Sequence, residues 1–134
     1  MSFSNNGNLS SCIGILNKSI ISNKKNCNIS FSKNNLMFLL FLYRNGYLEK
    51  IQIINKKKII KVHLKIYQDK LVLHSIKNYF KVGHKYYLNH KKISELKNNK
   101  NIQTSYVLWT THGFLTLDKA FFRRVGGLLV CKIN

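Results

Sequence analysis

A chain of 134 residues that is 45% hydrophobic has room for one domain, or two small halves with real cores, and is not a disordered tail. Its net charge of +19 comes from 23 Lys and Arg against 4 Asp and Glu, spread from Lys18 to Lys132. That balance points to a polyanionic partner, nucleic acid ahead of an anionic membrane.

The spacing of Leu9, Cys12, Ile13, Leu16 and Ile20 predicts an amphipathic helix over Asn8 to Ile20. A polar loop from Ser22 leads to a short strand at Asn28–Phe31. Ser32 or Asn34 caps a second helix that runs to Arg44, with Gly46 as its stop signal. This helix is apolar on nearly every side, which predicts burial between layers. Tyr47 to Ile54 reads as a strand and Asn55–Lys58 as a turn. Ile60, Val62, Leu64 and Ile66 alternate with Lys61, His63 and Lys65, giving a strand with one core face and one basic face. After a turn at Asp69, Leu71 to Phe80 is expected to be extended. Gly83 then separates it from Lys85–Leu88. Lys91 to Asn99 reads as a short helix and loop, and Gln103 to Thr110 as a strand. A polar turn, Thr110-Thr111-His112-Gly113, follows. Gly113 there permits a positive φ or a close approach. Thr116 to Arg124 is helical, and the pair Gly126-Gly127 reads as its C-terminal cap and the entry to a last strand. The expected class is α+β.

Catalysis has little to stand on. Glu49, Asp69, Glu95 and Asp118 are far apart in sequence, so no local carboxylate pair is visible. The five histidines lack ligand spacing, and no Gly-rich phosphate loop appears. Cys12, Cys27 and Cys131 are odd in number and lack zinc spacing, so buried, reduced thiols are expected. The longest apolar run, Leu36 to Tyr43, is far short of the about 18 residues of a spanning helix. No metal, cofactor, small-molecule substrate or membrane partner is expected.

The residue types that remain suit nucleic acid. Thr110 and Thr111 carry hydroxyls that donate and accept, as ribose 2′-OH groups and base edges require. By residue type alone they read first as two β-favouring residues ending a strand, and the context from Gly113 to Gly127 tips them toward RNA. Tyr87 and Trp109 offer flat faces for stacking, and either ring is as easily a core residue. Lys18, Lys33, Lys81, His84 and Lys85 are candidate phosphate contacts, which supply affinity and register rather than specificity. His112 in the turn is a candidate RNA-facing residue. Lys56, Lys57 and Lys58 read as a solvated hairpin tip or a contact with a neighbouring component.

The hydroxyl-Gly turn, the short helix, Gly126-Gly127 and the closing strand with Cys131 together resemble the C-terminal signature of the bacterial-type small-subunit ribosomal protein eight family (uS-eight). The likeness extends back through Gly83 and Tyr87, through Leu64–Lys70, and to Phe31–Leu48 with its Gly46-Tyr47-Leu48 exit. Departures are Val82, where the family usually has Pro, Trp109 in place of a small hydroxyl residue, and Phe121-Phe122 where charged or small residues are usual. The resemblance implies two subdomains: residues 1–66, with helices packed on a short sheet, and 67–134, a mostly antiparallel β subdomain that binds RNA. It implies no enzymatic activity. It favours an RNA contact at Tyr87 and at the turn through Gly113 and Gly127. It implies binding to the central domain of the small-subunit ribosomal RNA, support of its assembly, and other small-subunit proteins as neighbours. The alternative is a basic nucleic-acid-binding module acting off the ribosome as regulator or RNA chaperone. Lys, Asn, Ile, Tyr and Phe abound, Ala occurs once and Pro not at all, as in an AT-rich gene. Met1 to Asn6 shows no transit or secretory segment. An organelle-encoded copy is therefore expected, in a mitochondrion before a plastid.

Overall fold

A computed structural model describes residues 6–79, 86–98 and 105–134. They form two compact units, one ending at Ser75 and the other beginning at Ile76. Every strand pairing among the described residues is antiparallel. The class is α+β, as expected.

In the first unit, α1 (Asn6–Ile21) and α2 (Lys33–Arg44) pack on a three-stranded sheet. Its strands are β1 (Asn26–Ser30), β2 (Leu48–Ile54) and β3 (Ile59–Leu64), in the order β1-β3-β2. The alternation read in β3 holds: Ile60, Val62 and Leu64 are buried, while Lys61 and His63 are only partly so. Leu9, Cys12, Ile13 and Leu16 of α1, and Phe38, Leu39 and Leu42 of α2, are likewise fully buried. Of the two capping residues proposed for α2, Ser32 is the one used. Its φ of −151° and ψ of 157° are extended, and its Oγ accepts from Asn35 N at 3.1 Å. Gly46 ends the helix with φ +83°.

Three expectations need correction here. Helix α2 is not buried all round: Tyr43 is 49% exposed, and Leu36, Met37 and Leu40 are half-buried. A three-stranded sheet covers only one side of a helix. The strand through Ile66 breaks at Lys65, because Ile66 pairs with Leu71 in a separate hairpin of β4 (Ile66–Tyr67) and β5 (Lys70–Leu71). Gln68 and Asp69 make that turn with positive φ. The extended stretch expected over Leu71–Phe80 is strand only at β5 and at β6 (Ile76–Asn78), and Phe80 lies outside the described residues.

The second unit is built on β10 (Gly127–Ile133). One edge of β10 pairs with β8 (Ser105–Thr110), which pairs onward with β9 (Gly113–Thr116). The other edge takes β6 at its C-terminal end and β7 (Tyr87–Leu88) at its N-terminal end. Helices α3 (His90–Asn98) and α4 (Leu117–Arg123) pack together, and a core of Leu88, Ile93, Leu108, Leu115, Leu117, Ala120 and Leu129 joins them to the sheet. Thr116 caps α4, its Oγ1 accepting from Lys119 N at 3.3 Å.

The cap at the other end of α4 overturns the reading of the Gly pair. The C-cap is Arg124, left-handed at φ 55° and ψ 39°, with its N–H on the Ala120 and Phe121 carbonyls. Gly126 and Gly127 do not have positive φ, and their role is close packing between strands.

Candidate nucleic-acid interface

The hairpin between β8 and β9 is closed by the pair Thr110 and Gly113, leaving Thr111 and His112 at its tip. Gly113 has φ +91°, and neither tip residue has a positive φ. This is the pattern of a type I turn followed by a glycine in the left-handed region. Nothing lies within 4 Å of a Cβ built on Gly113. The positive φ is thus a sufficient reason for a glycine here, and no group of this chain crowds it.

Thr110 is 5% exposed. Its Oγ1 donates to Gly113 O at 2.9 Å and accepts from His112 N at 3.0 Å. The hydroxyl is spent on holding the turn, so Thr110 shapes the tip and leaves little to offer a ligand. Thr111 and His112 are exposed. The two threonines therefore differ in kind, although the sequence presents them as a pair.

Trp109 is only 9% exposed, and its ring lies on Phe114 with centroids 4.8 Å apart at 59°. Of the two roles open to it, the geometry matches the core plug. Tyr87 is the reverse case, at 64% exposed on the short strand β7. The register sets Tyr87 opposite Leu128, Leu128 opposite Trp109, and Trp109 opposite Phe114. That row crosses the sheet beside the Thr111–His112 tip.

The glycine pair fills the space between. A Cβ on Gly126 would stand 2.6 Å from Leu88 O and 2.9 Å from Tyr87 Oη. On Gly127 it would stand 2.5 Å from Trp109 O and 2.8 Å from Thr110 Cγ2. Both glycines are needed so that β10 can run between β7 and β8. One end of the sheet thus gathers an exposed phenol, a side-chain-free backbone and an exposed hydroxyl-imidazole tip. A Gly pair reads as a cap until the strands on either side are known.

Lys18 is exposed in the last turn of α1, and Lys33 is exposed in the first turn of α2. Both belong to the first unit. Lys81, His84 and Lys85 lie outside the described residues. Among the described residues no His, Cys, Asp and Glu cluster suits a metal ion. No helix among them is long and apolar enough to cross a membrane.

The chain matches the family described as "Ribosomal protein S8" over residues 8–134. It is 30% identical over 107 residues to "Small ribosomal subunit protein uS8" of Dictyoglomus thermophilum, covering 78% of this chain and 79% of that protein. It is 37% identical over 91 residues to the protein of the same name from Campylobacter jejuni subsp. doylei, covering 66% and 67%. A third, from Vesicomyosocius okutanii, is 28% identical over 112 residues, covering 82% and 83%. The chain therefore belongs to the ribosomal protein S8 family, as a structural protein of the small ribosomal subunit and not an enzyme.

Proposed function

We propose that this protein binds the central domain of the small-subunit ribosomal RNA and supports its assembly, with other small-subunit proteins as neighbours. The observation that carries the reading is the convergence of the exposed Tyr87 ring, the Gly126-Gly127 backbone and the Thr111–His112 tip at one end of the C-terminal sheet. Such a surface has parts that irregular RNA demands: a stacking face, and hydroxyl and imidazole groups for sugar and base edges, with the glycine pair allowing the strands that carry them to pack closely. Lys18, Lys33, Lys81, His84 and Lys85 are the phosphate contacts this reading assigns. The work divides between the threonines, with Thr110 shaping the tip and Thr111 reading the RNA. The AT-rich composition supports a mitochondrial ribosome as its place, with a plastid as the alternative. Co-sedimentation with mitochondrial small subunits tests that part.

The test of recognition compares Thr111→Val on a central-domain rRNA fragment and on a scrambled RNA of equal length. Thr111→Val keeps shape and charge and removes one hydroxyl. Affinity for the fragment should fall by about 0.5–1.5 kcal/mol, more if an RNA group is left buried and unpaired. Affinity for scrambled RNA should stay put. If the wild-type protein binds both RNAs alike across a salt range, the reading of a general nucleic-acid module acting off the ribosome takes over.

A further inference from the structure

His90 at the start of α3, with Phe121, Phe122 and Arg124 at the end of α4, lines an open groove of about 330 Å³. Its size is at the lower end of cavities that hold a small organic group. Phe122 is 74% exposed beside the partly exposed Phe121, so the two rings make an apolar patch rather than a lone exposed residue. His90 stacks on Phe121 with centroids 5.3 Å apart and planes within 18°, and Phe121 meets Phe122 edge-on. Lys97 Nζ sits over both rings, 4.0 Å and 4.4 Å from their centroids. These contacts hold the phenylalanines in place while leaving most of Phe122 open.

Arg124 supplies a second, independent observation. It occupies the left-handed C-cap of α4, where glycine is unstrained and a residue with a Cβ is not. A strained residue points to a task for its side chain. Here that side chain lines the groove, and among the described residues no acid does.

We infer that the α3–α4 groove is a second RNA site, which takes one unpaired nucleotide with its base on Phe122 and its phosphate between Arg124 and Lys97. Aromatic faces among cations fit a base and its phosphate together. The charge around the groove excludes a cationic partner. The inference rests on the RNA-binding reading above, but on none of the same residues.

The test uses the full-length protein and fluorescence anisotropy with two labelled probes. One is a single-stranded oligoadenylate, and the other is the same oligomer with abasic riboses at alternate positions. Wild type should bind the intact oligomer about tenfold more tightly, and Phe122→Ala should reduce the difference several-fold in a Tyr87→Ala background as well as in wild type, since a base–aromatic stack is lost. Arg124→Gly should weaken binding of both oligomers while raising the melting temperature, because the cap is relieved. Lys119→Gln removes one charge from α4 outside the groove and should change affinity less than Arg124→Gly. Equal binding of the two oligomers by wild type overturns the inference. So does Phe122→Ala with unchanged affinity, which leaves the groove to a protein contact, and so does Lys119→Gln with a loss equal to that of Arg124→Gly. Thr111→Val on the rRNA fragment is read in parallel. A loss there with no effect of the groove variants sinks this inference alone. The converse sinks the proposed reading of the turn and leaves the groove standing.

Discussion

Thr110 and Thr111 differ by one position and by what their hydroxyls do. Thr110→Val removes two hydrogen bonds that close the turn, those to Gly113 O and from His112 N. Each is worth about 0.5–1.5 kcal/mol, offset in part by the fit of Val to a strand end. Thermal melts should show a drop of several degrees for Thr110→Val and none for Thr111→Val, the reverse of their expected order in RNA binding. Gly113→Ala has space for its methyl but not the backbone freedom, so it should cost about 1–3 kcal/mol through φ alone. The cysteines make a separate case. Burial pushes the Cys12 thiol far up, Cys27 adds to it, and burial raises Cys27 as well. A thiol whose folded pKa is raised stabilises the fold below its unfolded value and loses that contribution as pH rises. Stability should therefore fall above the ordinary thiol value of 9.0, where only the unfolded thiol ionises. Urea titrations at rising pH check this, and Cys12→Ala should show a shallower decline. The sequence made Gly113 legible because a hydroxyl-Gly turn has few solutions. It did not separate Thr110 from Thr111, since which hydroxyl faces inward depends on the register of β8 on β9.

Periodicity and caps carry the elements. The alternation of β3 and the Ser32 cap were readable, because one face must meet the core and an orphan N–H must find an oxygen. The end of α4 was not readable. Sequence rules place glycine at a left-handed cap, and two glycines stood nearby to attract that assignment. The true cap, Arg124, breaks the rule, and the glycines serve the strand pairing instead. Their role sets a prediction. Gly127→Ala drives a methyl against the Trp109 carbonyl and the Thr110 side chain, and neither is the far end of a flexible chain. Either β10 or β8 must shift, at a cost of about 1–3 kcal/mol. Hydrogen exchange should quicken along β10 and β8 while β1, β2 and β3 in the other unit keep their protection. Uniformly faster exchange in both units would mean that the two unfold together, and β10 would not be the local frame of its sheet. The even apolar pattern of α2 misled for a different reason. It reflects a sequence rich in Leu, Phe and Ile, and the exposed Tyr43 shows that apolar character alone does not count the layers around a helix.

Charge acts across the whole molecule. The basic residues divide almost evenly between the two units, and each unit carries two of the four acids. A field of this kind makes affinity for any RNA fall steeply with salt, because each phosphate neutralised releases counterions. It also attracts RNA without regard to sequence, so the proposed reading assigns specificity to groups such as Thr111 that act at short range. The two contributions separate in one experiment. On a plot of log affinity against log salt, each phosphate contact adds about 0.9 to the slope for a duplex, and an uncharged contact shifts the line without tilting it. Thr111→Val should lower the line for the central-domain fragment at unchanged slope. Lys18→Gln with Lys33→Gln should flatten the slope by about 1.8 if both lysines touch phosphate, and should do so for cognate and scrambled RNA alike. Lys81→Gln with Lys85→Gln should flatten it similarly. If the first pair leaves the slope unchanged and the second does not, the phosphate contacts belong to the C-terminal unit alone. The basic surface of the N-terminal unit is then left for other components of the ribosome.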